Sequence, residues 1–243
     1  VRSIVIIPSR LASTRLSEKP LASIDGKPMV QWVYEQAVAA DVGPVVVACC
    51  CSRIAQVIES IGGKAILTDP NLPSGTDRVW AAYQALGENY QAIINLQGDL
   101  PTMPPAMLSQ VLEPLQSQNM GMGTLACPIT DEQEIHNPNV VKIALGQING
   151  QGVADGIYFS RSAIPNGAAT YYHHIGVYSY TPQVLGQFVQ LAPTNLERTE
   201  RLEQLRVLEN GVRIGVKIVD QIPPSVDTLE DLDRVRQHVQ GKS

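Results

Sequence analysis

Residues 3–20 read SIVIIPSRLASTRLSEKP. The first six form a β-branched apolar run closed by Pro8, the pattern of a strand buried on both faces. Directly after it the chain turns polar and sets Arg10, Arg15 and Lys19 among the hydroxyls of Ser13 and Thr14. A buried strand that leads into a cationic loop fits the opening of a parallel α/β layer. In such layers ligands gather beyond the carboxyl ends of the strands.

The following segments repeat the alternation. PMVQWVYEQAVAA (28–40) carries apolar residues at helical spacing, with Pro28 as its expected first helical residue. VVVAC (45–49) reads as a buried strand and RIAQVIESI (53–61) as a helix stopped by Gly62-Gly63. KAILT (64–68) is a strand, TDRVWAAYQAL (76–86) a helix with Thr76 as its N-cap, AIINLQ (92–97) a strand and PAMLSQVLEPL (105–115) a helix. After about residue 120, MGTLACPI, VVKIALG, GVADGIYFSRS and HHIGVYSYT are strand-like and separated by Gly and Asn turns. PQVLGQFVQL and NLERTERLEQLRVLENG read as helices, RIGVKIV as a late strand, and TLEDLDRVRQHVQ as a closing helix. Thr228 and Asp231 form an expected capping box there. The expectation is an α/β fold with a mostly parallel central sheet flanked by helices and an antiparallel-strand extension. It is expected as one domain over 1–243, with an inserted lobe around 120–200.

Composition removes several function classes. The 243 residues carry 18 Lys+Arg against 23 Asp+Glu, a net charge of -5, which argues against a general nucleic-acid or membrane-surface binder. Hydrophobic residues make up 44% and charged residues 17%, so the chain is globular. No apolar run approaches the ~20 residues that span a bilayer, and VRSIVIIPSR is too short in its apolar part for a signal peptide. Three of the four cysteines, Cys49, Cys50 and Cys51, are consecutive. That spacing suits neither a disulfide framework nor a zinc site, and a reducing cytoplasm is expected.

Five constellations could carry chemistry. A phosphate-binding loop needs backbone N–H groups and cations close together, which Arg10, Ser13, Thr14, Arg15 and Lys19 supply; the alternative is a solvated loop paired with surface acids. This loop is not a Walker A sequence. In LQGDLP, Asp99 follows a buried strand, a place that suits either a divalent cation or a turn. Asp227 precedes the capped closing helix and has the same two readings. In LPSGTDR (72–78), Ser74, Gly75 and Arg78 could approach a base or ribose, or simply connect strand to helix. Farther on, Arg161, His173, His174, Tyr178, Glu203 and Gln204 are side chains that suit a hydroxylated, anionic small molecule. GMGTLA (121–126) matches a dinucleotide fingerprint but leads into a strand, so it lacks the required helix.

Taken together, IIPSRLASTRLSEKPL, GKPM, PSGTDR, QGD, NPNVVK, YFSRSAIP, HHIGVYSY, LEQLRVLENG and VDTLEDLDRVR resemble the 3-deoxy-manno-octulosonate (Kdo) cytidylyltransferases, in the right order over nearly the whole chain. The resemblance implies a nucleotidyltransferase-like fold, a homodimer, a Gram-negative cytoplasm, and transfer of CMP from CTP to Kdo with Mg²⁺ as cofactor. By motif, Arg10 and Lys19 become triphosphate ligands, with Ser13 and Arg15 in the same loop. Ser74, Gly75 and Arg78 fall on the cytidine side, and Gln97 lies in QGD. Asp99 and Asp227 match the metal carboxylates. Arg161, His174, Tyr178, Glu203 and Gln204 align with the sugar-acid pocket. The chain departs from the usual QGDEP at Leu100, from ATDDERI at Cys49–Cys51, and from RLPGKP at Ser17-Glu18. Those departures leave a related acid, an 8-amino analogue or a sialic acid, as an alternative substrate. A non-catalytic nucleotide binder is the alternative of a different class.

Overall fold

The computed structural model describes residues 1–11, 16–116 and 120–241. Two compact units divide the chain, Val1–Ser109 with Pro223–Ser243, and Gln110–Ile222.

The first unit is built on β1 (Ser3–Ser9), in which every residue is buried. The chain then makes a short hairpin, β2 (Ser23–Ile24) and β3 (Lys27–Pro28), whose Asp25-Gly26 turn has both residues at positive φ. That is the backbone an Asp-Gly pair supplies with least strain. Next come α1 (Met29–Ala39), β4 (Val45–Cys49), α2 (Ser52–Ser60), β5 (Lys64–Leu67), α3 (Gly75–Leu86), β6 (Ala92–Leu96) and α4 (Pro105–Gln110). The strands lie in the order β5-β4-β1-β6, all parallel. β4 and β6 are as fully buried as β1, as their unbroken apolar runs require, and helices follow β4, β5 and β6.

Three expectations are corrected here. Pro28 is the N-cap of α1, not its first helical residue. α3 is capped by Ser74, which accepts from Asp77 N at 3.1 Å, while Thr76 lies buried inside the helix. The helix expected over 105–115 stops at Gln110 and gives way to a 3₁₀ turn at Glu113–Gln116, where Pro114 lacks the N–H an α-helix would need.

In the second unit, β7 (Met122–Pro128), α5 (Glu132–His136), β8 (Lys142–Leu145), β9 (Val153–Ser160) and β10 (Tyr172–Tyr180) precede α6 (Pro182–Gln190), α7 (Asn195–Glu200), α8 (Leu205–Glu209) and β11 (Ile214–Ile218). β7 runs antiparallel to β10 and parallel to β11; β11 is antiparallel to β9, and β9 to β8. β8 also bridges β10 where Lys142 faces His173, so the five strands return on themselves. The single helix expected over NLERTERLEQLRVLENG is two. Arg201 takes a left-handed conformation, φ 57°, and closes α7 before α8 begins. Arg206 of α8 reaches back to Glu197 of α7 through Nε at 2.8 Å and Nη2 at 2.6 Å, and its guanidinium lies 5.3 Å from the Phe188 ring centre.

α9 (Leu229–Gln240) belongs to the first unit. Leu232, Val235 and Val239 form its apolar stripe and pack with Ile24, Met29 and Val226. Among the described residues no helix is long and apolar enough to cross a membrane.

Candidate active site

Parallel pairing brings the carboxyl ends of β1 and β6 to the same edge of the first unit. Pro8 and Ser9 lie at one end and Gln97, Gly98 and Asp99 follow the other. The fit is close: a Cβ on Gly98 would stand 3.1 Å from the Pro8 carbonyl oxygen, and one on Gly75 would stand 3.4 Å from Pro8 Cγ. The glycines therefore let α3 and the β6 loop approach β1.

Here Lys19 meets two acids far from it in sequence. Its Nζ donates to Asp99 Oδ2 at 3.2 Å and to Asp227 Oδ1 at 3.1 Å. Lys19 opens a short 3₁₀ turn, Lys19–Leu21, in which Pro20 is buried. The two acid-bearing segments are tied by a backbone bond from Val226 N to Asp99 O at 2.9 Å. Asp227 is fixed from the helix side, because Asp231 Oδ2 accepts from Asp227 N at 3.0 Å as well as from Thr228 N at 2.8 Å and Thr228 Oγ1 at 2.9 Å. The expected capping box exists, and it also holds an acid of the site. Loss of solvent pushes the Asp99 carboxyl above its ordinary range; Lys19 pulls it down and the Asp227 charge pushes it up again. Thr228→Ala should cost ~1 kcal/mol of stability, the usual worth of an N-cap, measured by urea denaturation.

Mg²⁺ takes hard oxygen ligands, often one or two carboxylates completed by substrate phosphates. Asp99 and Asp227 offer that donor set, and the Lys19 ammonium already shows that the pair converges on a cation. Among the described residues no group of three or more His, Cys, Asp and Glu forms a ready cage. Two protein carboxylates fit an ion that shares its shell with a polyphosphate.

The other expected residues of this unit are placed as follows. Arg10 is exposed just beyond β1. Ser13 and Arg15 lie outside the described residues. Gln97 donates to Asn95 Oδ1 at 2.8 Å. Ser74 and Gly75 form the start of α3. Arg78 is buried and its guanidinium holds the preceding loop, donating to Thr68 Oγ1, to Asp69 O at 3.1 Å and to Pro70 O at 3.5 Å. Sequence reasoning did not foresee that anchoring work. Leu100 is buried, so no polar group stands at that position. Glu18, one of the departures from the family pattern, is held by an arginine of α2. Its carboxylate is gripped by Arg53, which holds it below its ordinary pKa, and its φ of 50° is one that glycine adopts more readily. Cys50 Sγ lies 3.4 Å from Leu11 N and so steadies the start of the loop, and all four cysteines are free thiols.

In the second unit a bulge in β10 decides the geometry. Ile175 faces Leu125 but Tyr178 faces Thr124, so β10 gains residues around Gly176. His174 and Tyr178 are left opposite Ala126 and Thr124, two positions apart on β7 and therefore on one face. Their rings lie 5.5 Å apart, and Phe159 meets His174 edge-on at 5.0 Å. Thr124 Oγ1 lies 2.8 Å from Val177 O, 3.1 Å from Ile175 O and 3.1 Å from His174 Nε2. A hydroxyl has one proton and a carbonyl has none, so Thr124 donates to a carbonyl and His174 Nε2–H donates to Thr124. Burial, and then the neighbouring His173, depress the His174 pKa to about 3, so this imidazole is neutral. Burial, and next the charge of Glu203, raise the Tyr178 phenol above its ordinary value. Gln204 is buried and its Nε2 has no hydrogen-bond partner among the described residues.

Arg161 follows β9 and is tied down on all sides. Its backbone N–H donates to Glu200 Oε2 at 3.1 Å, its Nε to Glu200 O at 3.0 Å and its Nη1 to Pro138 O at 2.9 Å. The buried Lys142 donates to Arg161 O at 2.5 Å. Both partners stand in stretches already quoted, Lys142 in NPNVVK and Glu200 in NLERTERLEQLRVLENG, but side-chain-to-backbone bonds leave no mark on periodicity.

The neutral state of His174 has a measurable consequence. The unfolded chain takes up this proton near 6.5 and the folded chain only at about 3. Stability contributed by the neutral imidazole is therefore whole above 6.5 and falls as the pH drops below it, by about 1.4 kcal/mol per pH unit. Denaturation curves between pH 7 and pH 4 should show this slope, and His174→Gln should flatten it whatever its effect at pH 7.

Several known proteins are similar to this chain over most of its length. The cytidylyltransferase family profile matches residues 4–214. A 3-deoxy-manno-octulosonate cytidylyltransferase of Rhodospirillum rubrum is 48% identical over 96% of this chain and 94% of its own. One from Paramagnetospirillum magneticum is 47% identical over 96% of both. Among solved structures, CMP:2-keto-3-deoxy-manno-octonic acid synthetase complexed with CTP superposes with a TM-score of 0.91 at 36% identity over 100% of both chains. A nucleotidyl transferase from Methanothermobacter thermautotroptrophicus, 14% identical with a TM-score of 0.61 over 100% of this chain and 99% of its own, shares the fold. The profile match over most of the chain and the 47–48% identities over nearly all of it show that the chain belongs to the cytidylyltransferase family, among the 3-deoxy-manno-octulosonate cytidylyltransferases.

Proposed function

We propose that this enzyme transfers CMP from CTP to the anomeric hydroxyl of Kdo and releases pyrophosphate. The observation that carries the reading is the convergence of Lys19, Asp99 and Asp227 beyond β1 and β6. It stands in a chain that superposes over its whole length on a CMP-Kdo synthetase solved with CTP.

Nucleotidyl transfer relies mostly on positioning and on charge neutralisation. Arg10 and Lys19, with Ser13 and Arg15 of the same loop, bind the triphosphate and stabilise charge on the departing pyrophosphate. The start of α3 at Ser74 and Gly75 receives the cytidine, and Arg78 keeps the 68–70 loop in shape beside it. Gln97 adds an amide next to Pro8 and Gly75. Asp99 and Asp227 would hold Mg²⁺, which when bound would supply Lewis-acid polarisation of a phosphoryl oxygen and lower the pKa of a hydroxyl. Arg161 pairs with the carboxylate of the sugar acid. His174, fixed as the neutral tautomer, and Tyr178 pack against the sugar, while Glu203 and Gln204, whose Nε2 has no hydrogen-bond partner among the described residues, read its hydroxyls. A homodimer and a cytoplasmic location follow from the same family resemblance.

Pyrophosphate release should be measured with CTP or UTP against Kdo, 8-amino-Kdo and a sialic acid. CTP with Kdo should far exceed every other pair. Equal release with UTP, or CTP binding with no release for any acid, overturns the reading.

A further inference from the structure

The bonding around Arg161 is divided in an informative way. Glu200 is the only acid that touches it in the hydrogen bonds described, yet the Glu200 carboxylate does not take the guanidinium. Its Oε2 accepts from the Arg161 backbone N–H, and its Oε1 accepts from Ser160 Oγ at 2.8 Å and Tyr158 OH at 3.3 Å. All three donors are neutral. The guanidinium itself is bonded to carbonyl oxygens, of Glu200 and Pro138. Lys142 completes the frame from the other side of the same peptide. Its ammonium is fully buried and faces three carbonyls, Asn137 at 2.8 Å, Val140 at 2.7 Å and Arg161 at 2.5 Å. Residue 161 is thus fixed at its N–H by one charged group and at its C=O by another, and neither cancels its positive charge. A packing role alone would not need a fully buried ammonium or a carboxylate kept off an adjacent arginine.

We infer that Lys142 and Glu200 are positioning residues that hold Arg161 rigid and un-neutralised so that it can bind the carboxylate of the sugar-acid substrate. The inference rests on the reading of Arg161 given above. A guanidinium presents five N–H donors in a planar fork; with Nε and one Nη1 proton committed to carbonyls, the remaining edge is aimed and keeps its full charge. Glu200→Gln keeps the shape but replaces one acceptor oxygen with an NH₂ that cannot accept, so either Arg161 N–H or the Ser160–Tyr158 pair loses its partner. Lys142→Met removes all three donors at constant length.

The test is a set of steady-state titrations with Kdo and CTP. Glu200→Gln should raise KM for Kdo about 10- to 100-fold, the scale of a misplaced binding group, with KM for CTP within about twofold of wild type. Lys142→Met should act in the same direction, and Lys142→Gln, which keeps two of the three N–H donors on a shorter side chain, should act less. In an Arg161→Ala background, Glu200→Gln should add less than about twofold, because both changes remove one function. An unchanged KM for Kdo in Glu200→Gln, a parallel rise for CTP, or effects that multiply with Arg161→Ala would overturn the inference while leaving the site intact. If Arg161→Ala itself leaves KM for Kdo unchanged, the reading of Arg161 falls first and the inference falls with it.

Discussion

Asp99→Asn and Asp227→Asn should each lower kcat by about 10²–10³-fold, the usual effect of removing one positioned charge from a transition state. Asparagine preserves the shape of either side chain, so the change is electrostatic. Both carboxylates contact the same ammonium, at 3.2 and 3.1 Å. With either one made neutral, Lys19 still has a partner and the fold should hold, but a divalent ion would lose half of its protein charge. Excess EDTA should give the same loss in the unaltered enzyme, and added Mg²⁺ should restore it. Single-turnover rates measure both. Near-normal turnover in the two variants, or activity that persists in EDTA, would refute the role given to these acids.

The second large effect concerns stability. Arg206→Met should destabilise the second unit by about 3–5 kcal/mol, the range seen when one partner of a buried pair is removed. The Arg206 and Glu197 side chains are 11% and 13% exposed, and the contact is bidentate. Burial pushes the Glu197 carboxyl up, but Arg206 and the Thr194 N–H pull it down further, and the net shift is downward. The pair therefore stabilises the fold fully above pH ~4.5 and weakens as the pH falls through the lowered value. In the variant a buried carboxylate keeps its N-cap bond but loses its bidentate partner, with only the weaker pull of Arg198 left, and protonation relieves it. The gap between variant and wild type in urea denaturation should narrow from pH 7 to pH 4. A gap below about 1 kcal/mol at pH 7 would mean that solvent already screens the pair.

The parallel layer was readable because its strands are buried on both faces, and burial leaves an unbroken apolar run at 3–8, 45–49 and 92–97. The capping box at Thr228 was readable because caps are local. Lys19 and Asp227 stand 208 positions apart, and the backbone bond between Val226 and Asp99 that unites the two acid-bearing segments has no sequence signature. Local reading failed where two residues compete for one task. Ser74 and Thr76 both carry a hydroxyl that can cap a helix, and backbone geometry chose Ser74. It also failed where a residue accepts an unusual backbone, as Arg201 does in splitting one expected helix into two. Arg78 reads as a ligand from its motif, and only burial shows that it clamps a loop.

The chain leaves the first unit at Ser109 and returns to it at Pro223. On a ribosome, the stretch that carries Lys19 and Asp99 emerges well before Asp227, with the whole of 110–222 made in between. The Lys19–Asp99–Asp227 cluster therefore stays incomplete on the growing polypeptide until residues 110–222 have been made and Asp227 emerges.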